Sequence, residues 1–220
     1  MNYSVSEENY IKAIFHLQGD SGNVTTNDLA AALHTRPASV TDMMKKLKAK
    51  KLISYQPYYG FKLSAEGRKT ALGIVRRHRL WEYFLAEKLN FDWEDVHEVA
   101  EHLEHVSSKK LIDKLDEYLG FPKFDPHGDP IPDSAGHMES DARNMLSETE
   151  AHQMVTVAYV SNQSKEMLAL LKHRKIRIGT KLEIIKKFSF DQSLEIKPKN
   201  QQAFSISETL AKNIFVTHEQ

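Results

Sequence analysis

A short stretch near the middle of the chain concentrates carboxylate and imidazole side chains. Residues 92–106 contain six acids and three histidines, with no lysine or arginine. At roughly 100° of rotation per residue, four of these side chains fall within an arc of about 100° on one helix face: His97, Glu101, Glu104 and His105. Like charges at this spacing repel each other, so the pattern favours a bound cation. Carboxylate and imidazole groups within one helical turn are typical ligands of a divalent metal ion.

A second pair with the same character lies one helix upstream, where His78 and Glu82 are four residues apart in RRHRLWEYF. A solvated acidic helix face is the alternative interpretation of either pattern alone. The occurrence of both patterns in one chain favours a metal site. Asp125 and His127 add two more ligand types in the proline- and glycine-rich segment 120–136, where ordinary turn polarity is the alternative.

The N-terminal part of the chain predicts a winged helix-turn-helix. We predict a first helix with Ser6 as its N-cap, a short second helix over 27–33, a third helix over 37–51, and a β-hairpin around residues 57–60. Hydroxyl groups early in the third helix suit base edges, whereas the later lysines suit phosphates, although a solvated lysine face is the alternative. The predicted DNA-binding residues are Thr26, Thr35, Arg36, Ser39, Thr41, Asp42, Lys45, Lys46, Tyr58 and Tyr59.

The remaining segments predict a mainly α protein with a small β domain at its end. A long helix from residue 64, a helix over about 92–106 and an amphipathic helix ending at Gly120 carry more apolar surface than a winged helix needs, which indicates a helical dimer interface. Residues 137–149 resemble a flexible polar linker, and the short strand patterns after them predict an SH3-like β-barrel. The predicted domains are 1–63, DNA-binding; 64–140, metal-binding and dimerisation; and 141–220, SH3-like.

Composition narrows the classes of protein to which the chain can belong. The formal net charge is zero, so only local clusters of charge bear on partners. The absence of cysteine excludes disulfides and thiolate ligands. The sequence contains no apolar run long enough for a membrane span and no signal-peptide pattern, so we expect a cytoplasmic protein without a membrane partner.

Several of these segments together resemble the diphtheria-toxin-repressor family of metal-dependent transcriptional regulators, in particular its manganese-responsive branch. The matching segments are RRHRLWEYFL, VHEVAEHLEHVS, GFPKFDPHGDPIP and the recognition-helix and wing segment RPASVTDMMKKLKAKKLISYQPYYG. The resemblance extends over essentially the whole chain and implies two metal ions per subunit. One site would use Asn9 with Glu101, Glu104 and His105. The other would use His78, Glu82 and His97, with Asp125 and His127 as further ligands and Glu166 or Gln163 from the last domain.

The resemblance also implies a function. A homodimer would bind a palindromic operator in double-stranded DNA and repress metal uptake genes, with Mn(II) as co-repressor and no enzymatic activity. An Fe(II)-dependent repressor of the same family is the alternative, and a metallohydrolase using two metal sites is a remote one. The chain departs from the family pattern at Asn9, where Asp or Met is common. Its neutral carbonyl oxygen is a weaker ligand for a hard cation, so either Glu8 replaces it or the site is weaker.

Overall fold

The computed structural model describes residues 3–18, 22–56, 59–106, 108–139 and 143–218. The chain forms two compact units, each built from separate stretches of sequence. The first unit comprises Met1–Leu80, Glu101–Tyr118 and Pro132–Met138, and the second comprises Trp81–Ala100, Leu119–Ile131 and Glu139–Gln220. This division into units does not test the three predicted domain boundaries, which stay a prediction. Within the described ranges, none of the helices has the length and apolar character needed to cross a bilayer.

Three helices and a hairpin form the predicted winged helix-turn-helix in the first unit. Their bounds are α1 Val5–Gln18, α2 Thr26–Ala32, α3 Pro37–Ala49, β1 Ile53–Gln56 and β2 Gly60–Leu63. Apolar side chains from every one of these elements pack into a single core that includes the fully buried Ile11, Leu29 and Val40. Gly60 has a φ of +106°, and a Cβ there would collide with the Val24 carbonyl, so the wing requires glycine at this position.

Helix α1 begins earlier than the sequence predicted, because Ser4 and not Ser6 caps it. The Ser4 hydroxyl accepts the Glu7 N–H at 3.3 Å, and the Glu7 carboxylate accepts the Ser4 N–H at 3.0 Å. This reciprocal pair is a capping box, which satisfies two backbone donors at once.

Three further helices follow the wing: α4 Ala65–Leu89, α5 Val96–Leu103 and α6 Lys109–Tyr118. Helix α5 is much shorter than the predicted span of 92–106. Tight turns flank it, because the Asp95 N–H donates to the Asp92 carbonyl and the Val106 N–H donates to the Leu103 carbonyl. Among the apolar residues of 92–106, only Val96 and Ala100 are buried, which leaves too little apolar surface to hold a longer helix. Glu104 and His105 therefore lie in a turn beyond the helix.

The last part of the chain forms a six-stranded antiparallel sheet with the predicted SH3-like character. In chain order the strands are β3 Asn144–Met145, β4 Met154–Val160, β5 Lys181–Lys187, β6 Leu194–Pro198, β7 Phe204–Ile206 and β8 Ile214–His218. The strand order is β3-β8-β4-β5-β6-β7, and α7 Lys165–His173 and α8 Glu208–Lys212 complete the fold. The predicted linker over 137–149 is wrong in its second half, because Leu146 is fully buried in the core of this domain.

The cap of α1 also carries an ion pair that we expect to affect stability. Lys50 Nζ lies 2.5 Å from Glu7 Oε1, and Glu7 is buried. The hydrogen bond from Lys50, followed by that from the Ser4 backbone, lowers the pKa of Glu7 below its ordinary value. The ionised form thus stabilises the fold above that ordinary value, and this contribution is lost as pH falls through the lowered pKa.

We predict that Glu7→Gln lowers the free energy of unfolding near neutral pH by about 1 kcal/mol. The difference from the parent should shrink in acid, because both proteins then carry a neutral side chain at this position. Urea unfolding followed by circular dichroism at several pH values measures it. Glu150→Gln is the control, because Glu150 is exposed. An equal loss at neutral and acidic pH would contradict an ionic origin.

Candidate metal centres and nucleic-acid interface

The first group of ligand-type side chains lies within the first unit and is here named the Glu104 cluster. Helix α1 provides three of its members, α4 provides two, and the end of α5 with its following turn provides three. The members joined by contacts are Glu8, Lys12, Arg77, His78, Glu101, Glu104 and His105, and Asn9 is included because it follows Glu8 in α1. Carboxylate and imidazole groups from α1, from α4 and from the end of α5 with its following turn thus meet at one place.

Glu104 lies at the centre of this cluster, and its side chain is 0 % exposed. Lys12 Nζ contacts its two carboxylate oxygens at 2.7 and 2.8 Å, and His78 Nδ1 lies 2.6 Å from Oε2. Burial by itself would raise the pKa of Glu104, but the His78 hydrogen bond and the Lys12 charge outweigh it, and the pKa is lower than usual. The buried carboxylate is therefore an anion that depends on neighbouring cations.

Glu8 orients His105 within the same cluster. His105 Nδ1 lies 2.7 Å from Glu8 Oε2, and because a carboxylate only accepts, this nitrogen carries the proton. The opposite ring nitrogen, Nε2, lies 3.7 Å from Glu104 Oε1. Arg77 Nη2 donates to the other Glu8 oxygen at 2.8 Å. A carboxylate behind an imidazole is the arrangement that orients histidine ligands in metal sites.

The side chain of Asn9 carries a neutral amide oxygen, unlike the carboxylate oxygens of Glu8, Glu101 and Glu104. Its Oδ1 atom is buried and has no hydrogen-bond partner among the residues that the structure describes. A buried polar oxygen without a partner is costly and requires an explanation, such as an ion that it binds. Both oxygens of Glu8 are paired, whereas this oxygen is not.

The second group, here named the His127 cluster, lies within the second unit. Glu82, Asp125 and His127 are all buried and place one ligand atom each within 4.8 Å of one another. His127 Nε2 lies 2.8 Å from the Trp93 carbonyl, so Nε2 donates its proton and Nδ1 carries the lone pair. That Nδ1 lies 4.0 Å from Glu82 Oε2 and has no hydrogen-bond partner in the described chain. His97, which is half exposed, approaches the other Glu82 oxygen with Nδ1 at 3.1 Å.

Backbone contacts fix the loop that carries Asp125 and His127. Asp125 Oδ1 accepts the N–H groups of His127 and Asp129 at 2.8 and 2.9 Å. Gly128 has a φ of +87°, and a Cβ there would collide with the Ala158 carbonyl of β4. The Val160 N–H also donates to the His127 carbonyl at 3.1 Å. The loop therefore holds its ligand-type side chains in place without help from an ion.

Both clusters combine carboxylate oxygen with imidazole nitrogen, and the chain contains no cysteine. Such donors suit divalent cations of the first transition row and exclude thiolate coordination. The orphaned His127 Nδ1 atom fits a cation in the His127 cluster, and the carboxylates and imidazoles around Glu104, with the orphaned Asn9 Oδ1 on the adjoining helix α1, are the kinds of donor that fit one in the Glu104 cluster.

The structure places the remaining predicted ligands as follows. His78 lies with Glu104 in the first unit, so its predicted grouping with Glu82 and His97 stays a prediction. Glu166 is exposed in the first turn of α7. Gln163 Nε2 donates to Asp129 Oδ2 at 2.6 Å, which ties it to the loop of the His127 cluster.

Most of the predicted DNA-binding residues are exposed. Helix α3 begins at Pro37 and exposes Ser39, Thr41 and Asp42 early and Lys45 and Lys46 later. Asp42 and Lys45 form an exposed ion pair at 3.0 Å. Arg36 is exposed before the helix, Tyr59 is 68 % exposed at the wing, and Thr26 and Thr35 are partly buried. Tyr58 lies outside the described residues.

Sequence reasoning missed Lys12 and Arg77 as members of the Glu104 cluster. A signal was present for Lys12, because it lies one helical turn after Glu8 and therefore on the same face of α1. Nothing in the pattern around Arg77 distinguishes it from its neighbours Arg76 and Arg79. Which of three arginines meets Glu8 depends on how α4 packs.

Comparisons with known proteins agree with this architecture. A model of the iron-dependent repressor N-terminal DNA-binding domain matches residues 3–61, and that of the iron-dependent repressor metal-binding and dimerisation domain matches residues 64–133. A FeoA domain model matches residues 144–218. The HTH-type transcriptional regulator MntR of Oceanobacillus iheyensis is 34% identical over 120 residues, which cover 54% of this chain and 81% of that protein. The regulator of the same name from Bacillus subtilis is 34% identical over 116 residues, covering 53% of this chain and 81% of that protein.

Solved structures extend the match to nearly the whole chain. A manganese-dependent transcriptional repressor in complex with manganese aligns with a TM-score of 0.86 and 29% identity, covering 97% of this chain and 100% of the other. ScaR with bound Cd²⁺ aligns with a TM-score of 0.79 and 28% identity over 97% of this chain and 99% of its own. The chain belongs to the diphtheria-toxin-repressor family of metal-dependent transcriptional regulators.

Proposed function

We propose that this protein is a Mn(II)-activated repressor that binds a palindromic operator as a homodimer and controls metal uptake genes. The observation that carries the proposal is the pair of buried oxygen and imidazole clusters, each containing one orphaned ligand-type atom. The names of the relatives support manganese, since one matched structure is a manganese-dependent repressor with manganese bound. The domain model over residues 64–133, described as metal-binding and dimerisation, supports the homodimer.

In the Glu104 cluster we assign Asn9, Glu101, Glu104 and His105 as ligands. Asn9 Oδ1 is preferred over Glu8 because both Glu8 oxygens already accept from Arg77 and His105. Glu8 then acts as the carboxylate that orients His105, so that Nε2 keeps its lone pair toward Glu104. His78 holds Glu104 in position through Nδ1.

In the His127 cluster we assign Glu82, Asp125 and His127 as ligands, with His97 beside Glu82. The Trp93 carbonyl fixes the His127 tautomer, so Nδ1 presents its lone pair without a preceding proton transfer. Gln163 supports this loop through Asp129, and a ligand role for the exposed Glu166 gains no support from its position.

The Glu104 cluster explains how metal binding would reach DNA. Helix α1 carries Asn9 on one side, and on another side its Ile11 and Ile14 are fully buried in the core of the winged helix. Bound Mn(II) would supply two positive charges and directional bonds that tie α1 to the turn after α5. Because α1 and α3 share a core, a metal ion that fixes α1 would also fix the position of α3. The metal would act as a co-repressor if it binds more tightly to the arrangement of the protein that can bind DNA.

Manganese is favoured by donor chemistry combined with availability. Oxygen-rich sites without sulfur suit Mn(II), although intrinsic affinity places Mn(II) below Fe(II) and Zn(II) at any such site. The Fe(II)-dependent repressor remains the alternative because the matched domain models are described as iron-dependent. Anaerobic operator gel shifts with Mn(II), with Fe(II) and with chelator distinguish the two. Activation by Fe(II) alone at physiological free concentrations would overturn the manganese assignment. A phosphatase assay on the same protein with Mn(II) tests the metallohydrolase alternative.

We predict that Glu104→Gln and His127→Ala each remove one of two Mn(II) equivalents in calorimetric titration. Glu104→Gln replaces an anionic ligand by a neutral one and His127→Ala removes a ligand, so each substitution should weaken its site below the range of the titration. Glu104→Gln should also abolish Mn(II)-dependent operator binding, because it breaks the link to α1. Glu98→Gln is the matched control, since Glu98 is an exposed acid of α5 outside both clusters. Normal Mn(II) stimulation of the Glu104 variant would remove this cluster from the mechanism.

The α3 surface yields a prediction about DNA. Lys45→Ala and Lys46→Ala should weaken operator and random DNA about equally and reduce the salt dependence by about one ion each, because these lysines would contact phosphates. Ser39→Ala and Thr41→Ala should instead change base preference, since they lie at the end of the helix that would face the groove. Lys114→Ala, an exposed lysine on α6, is the control. If the lysine variants changed only the base preference, the proposed orientation of α3 on the DNA would be wrong.

Asn9 yields a prediction about affinity. Asn9→Asp replaces a neutral oxygen ligand with an anionic one, so Mn(II) should bind about tenfold more tightly, or about 1.4 kcal/mol. Titration of the parent and the variant with Mn(II), following operator binding, measures the shift. Asn27→Asp, an exposed position on α2, controls for the added charge. If the Mn(II) response did not change in Asn9→Asp, Asn9 would not be a ligand.

A further inference from the structure

Lys12 places an ammonium group among the carboxylates of the Glu104 cluster. Its Nζ lies 2.5 Å from Glu101 Oε1 and 2.7 and 2.8 Å from the two oxygens of Glu104. The Lys12 side chain is only 13 % exposed, so this is not a solvated surface pair. A lysine that bridges two acids at such short distances acts as their counter-ion.

The position of this ammonium conflicts with metal coordination by the same oxygens. Hard divalent cations lie about 2.0–2.6 Å from their oxygen ligands. A cation bonded to Glu101 Oε1 and to both Glu104 oxygens would overlap the place that Nζ occupies. The lysine contacts both oxygens of Glu104, so it covers the bidentate face of this carboxylate. The two cations are therefore mutually exclusive at this face.

The charge balance leads to the same conclusion. Apart from its histidines, the cluster has three carboxylates, Glu8, Glu101 and Glu104, against the two cationic side chains Lys12 and Arg77. Removal of the Lys12 ammonium makes this set of side chains more negative by one charge, which strengthens its attraction for a divalent ion. A divalent ion and the Lys12 ammonium held by the same oxygens would repel each other strongly at such short range, so their coexistence would be unfavourable.

We propose that Lys12 is a built-in competitor of the metal: its ammonium neutralises Glu101 and Glu104 in the metal-free protein and must leave before they coordinate. This inference rests on the proposed function of the Glu104 cluster. Lys12 stabilises the metal-free state and weakens metal binding by the same contacts. It thereby sets the metal concentration at which the regulator responds.

The test uses the full-length protein with Lys12→Met, which keeps the length of the side chain and removes its charge. Calorimetric titration with Mn(II) is carried out in a His127→Ala background, so that the Glu104 cluster alone is followed. Mn(II) should bind at least about tenfold more tightly to Lys12→Met than to the parent. Lys12→Arg, which keeps the charge, should bind no more tightly than the parent. Lys50→Met is the matched control, because it removes a lysine that also lies 2.5 Å from a buried carboxylate of α1.

Thermal melting with and without Mn(II) separates competition from a structural role. In chelator, Lys12→Met should melt a few degrees below the parent, because Glu104 loses its counter-ion. With saturating Mn(II), the variant should match or exceed the parent. An unchanged or weaker Mn(II) affinity, or an equal fall in melting temperature under both conditions, would overturn the proposal. Glu104→Gln in the same titration tests the site independently, since retained Mn(II) binding there would refute the metal site itself.

Discussion

A carboxylate buried away from water requires a cation nearby, and Glu104 is such a carboxylate. Moving an ion of this size from water into a protein interior costs several kcal/mol unless other charges compensate. Lys12 from α1 and His78 from α4 provide that compensation, and Arg77 from α4 also donates to the Glu104 backbone carbonyl. The packing of three helices in the first unit therefore depends on how this one negative charge is neutralised.

The same dependence makes the cluster suitable for a switch. A buried charge that two different cations can neutralise gives two states with different contacts to α1, and the free metal concentration would decide between them. In the proposed metal-free state α1 contributes a lysine, and in the metal-bound state it contributes the amide oxygen of Asn9. Because α1 shares its core with α3, the choice of cation would reach the DNA-binding surface through packed side chains.

The His127 cluster is constructed on a different principle. Its ligand-type atoms are positioned by backbone hydrogen bonds and by the close approach of Gly128 to β4. His127 has its tautomer set by the Trp93 carbonyl. Such a preorganised site would bind its ion without rearrangement, which suits a stabilising role more than a switching one. With ions bound as proposed, the His127 cluster would contribute stability and the Glu104 cluster would contribute the response to metal.

The sequence by itself determined the classes of element and most of the chemistry. Hydrophobic periodicity and turn residues were enough for the winged helix, the long helix α4 and the strands of the C-terminal domain, because these patterns are local. Local spacing likewise identified His78, Glu82, Glu104 and His127 as candidate ligands, and both clusters that the structure forms are built around them. The extent of α5 was predicted wrongly because acid and apolar residues alone do not show how little of its surface becomes buried. Only the tertiary structure decided that Lys12 meets Glu104, that Glu8 orients His105, and that the Trp93 carbonyl fixes the tautomer of His127. These contacts join residues that are 34 to 97 positions apart, and such pairs are set by the packing of whole elements, which local sequence patterns do not encode.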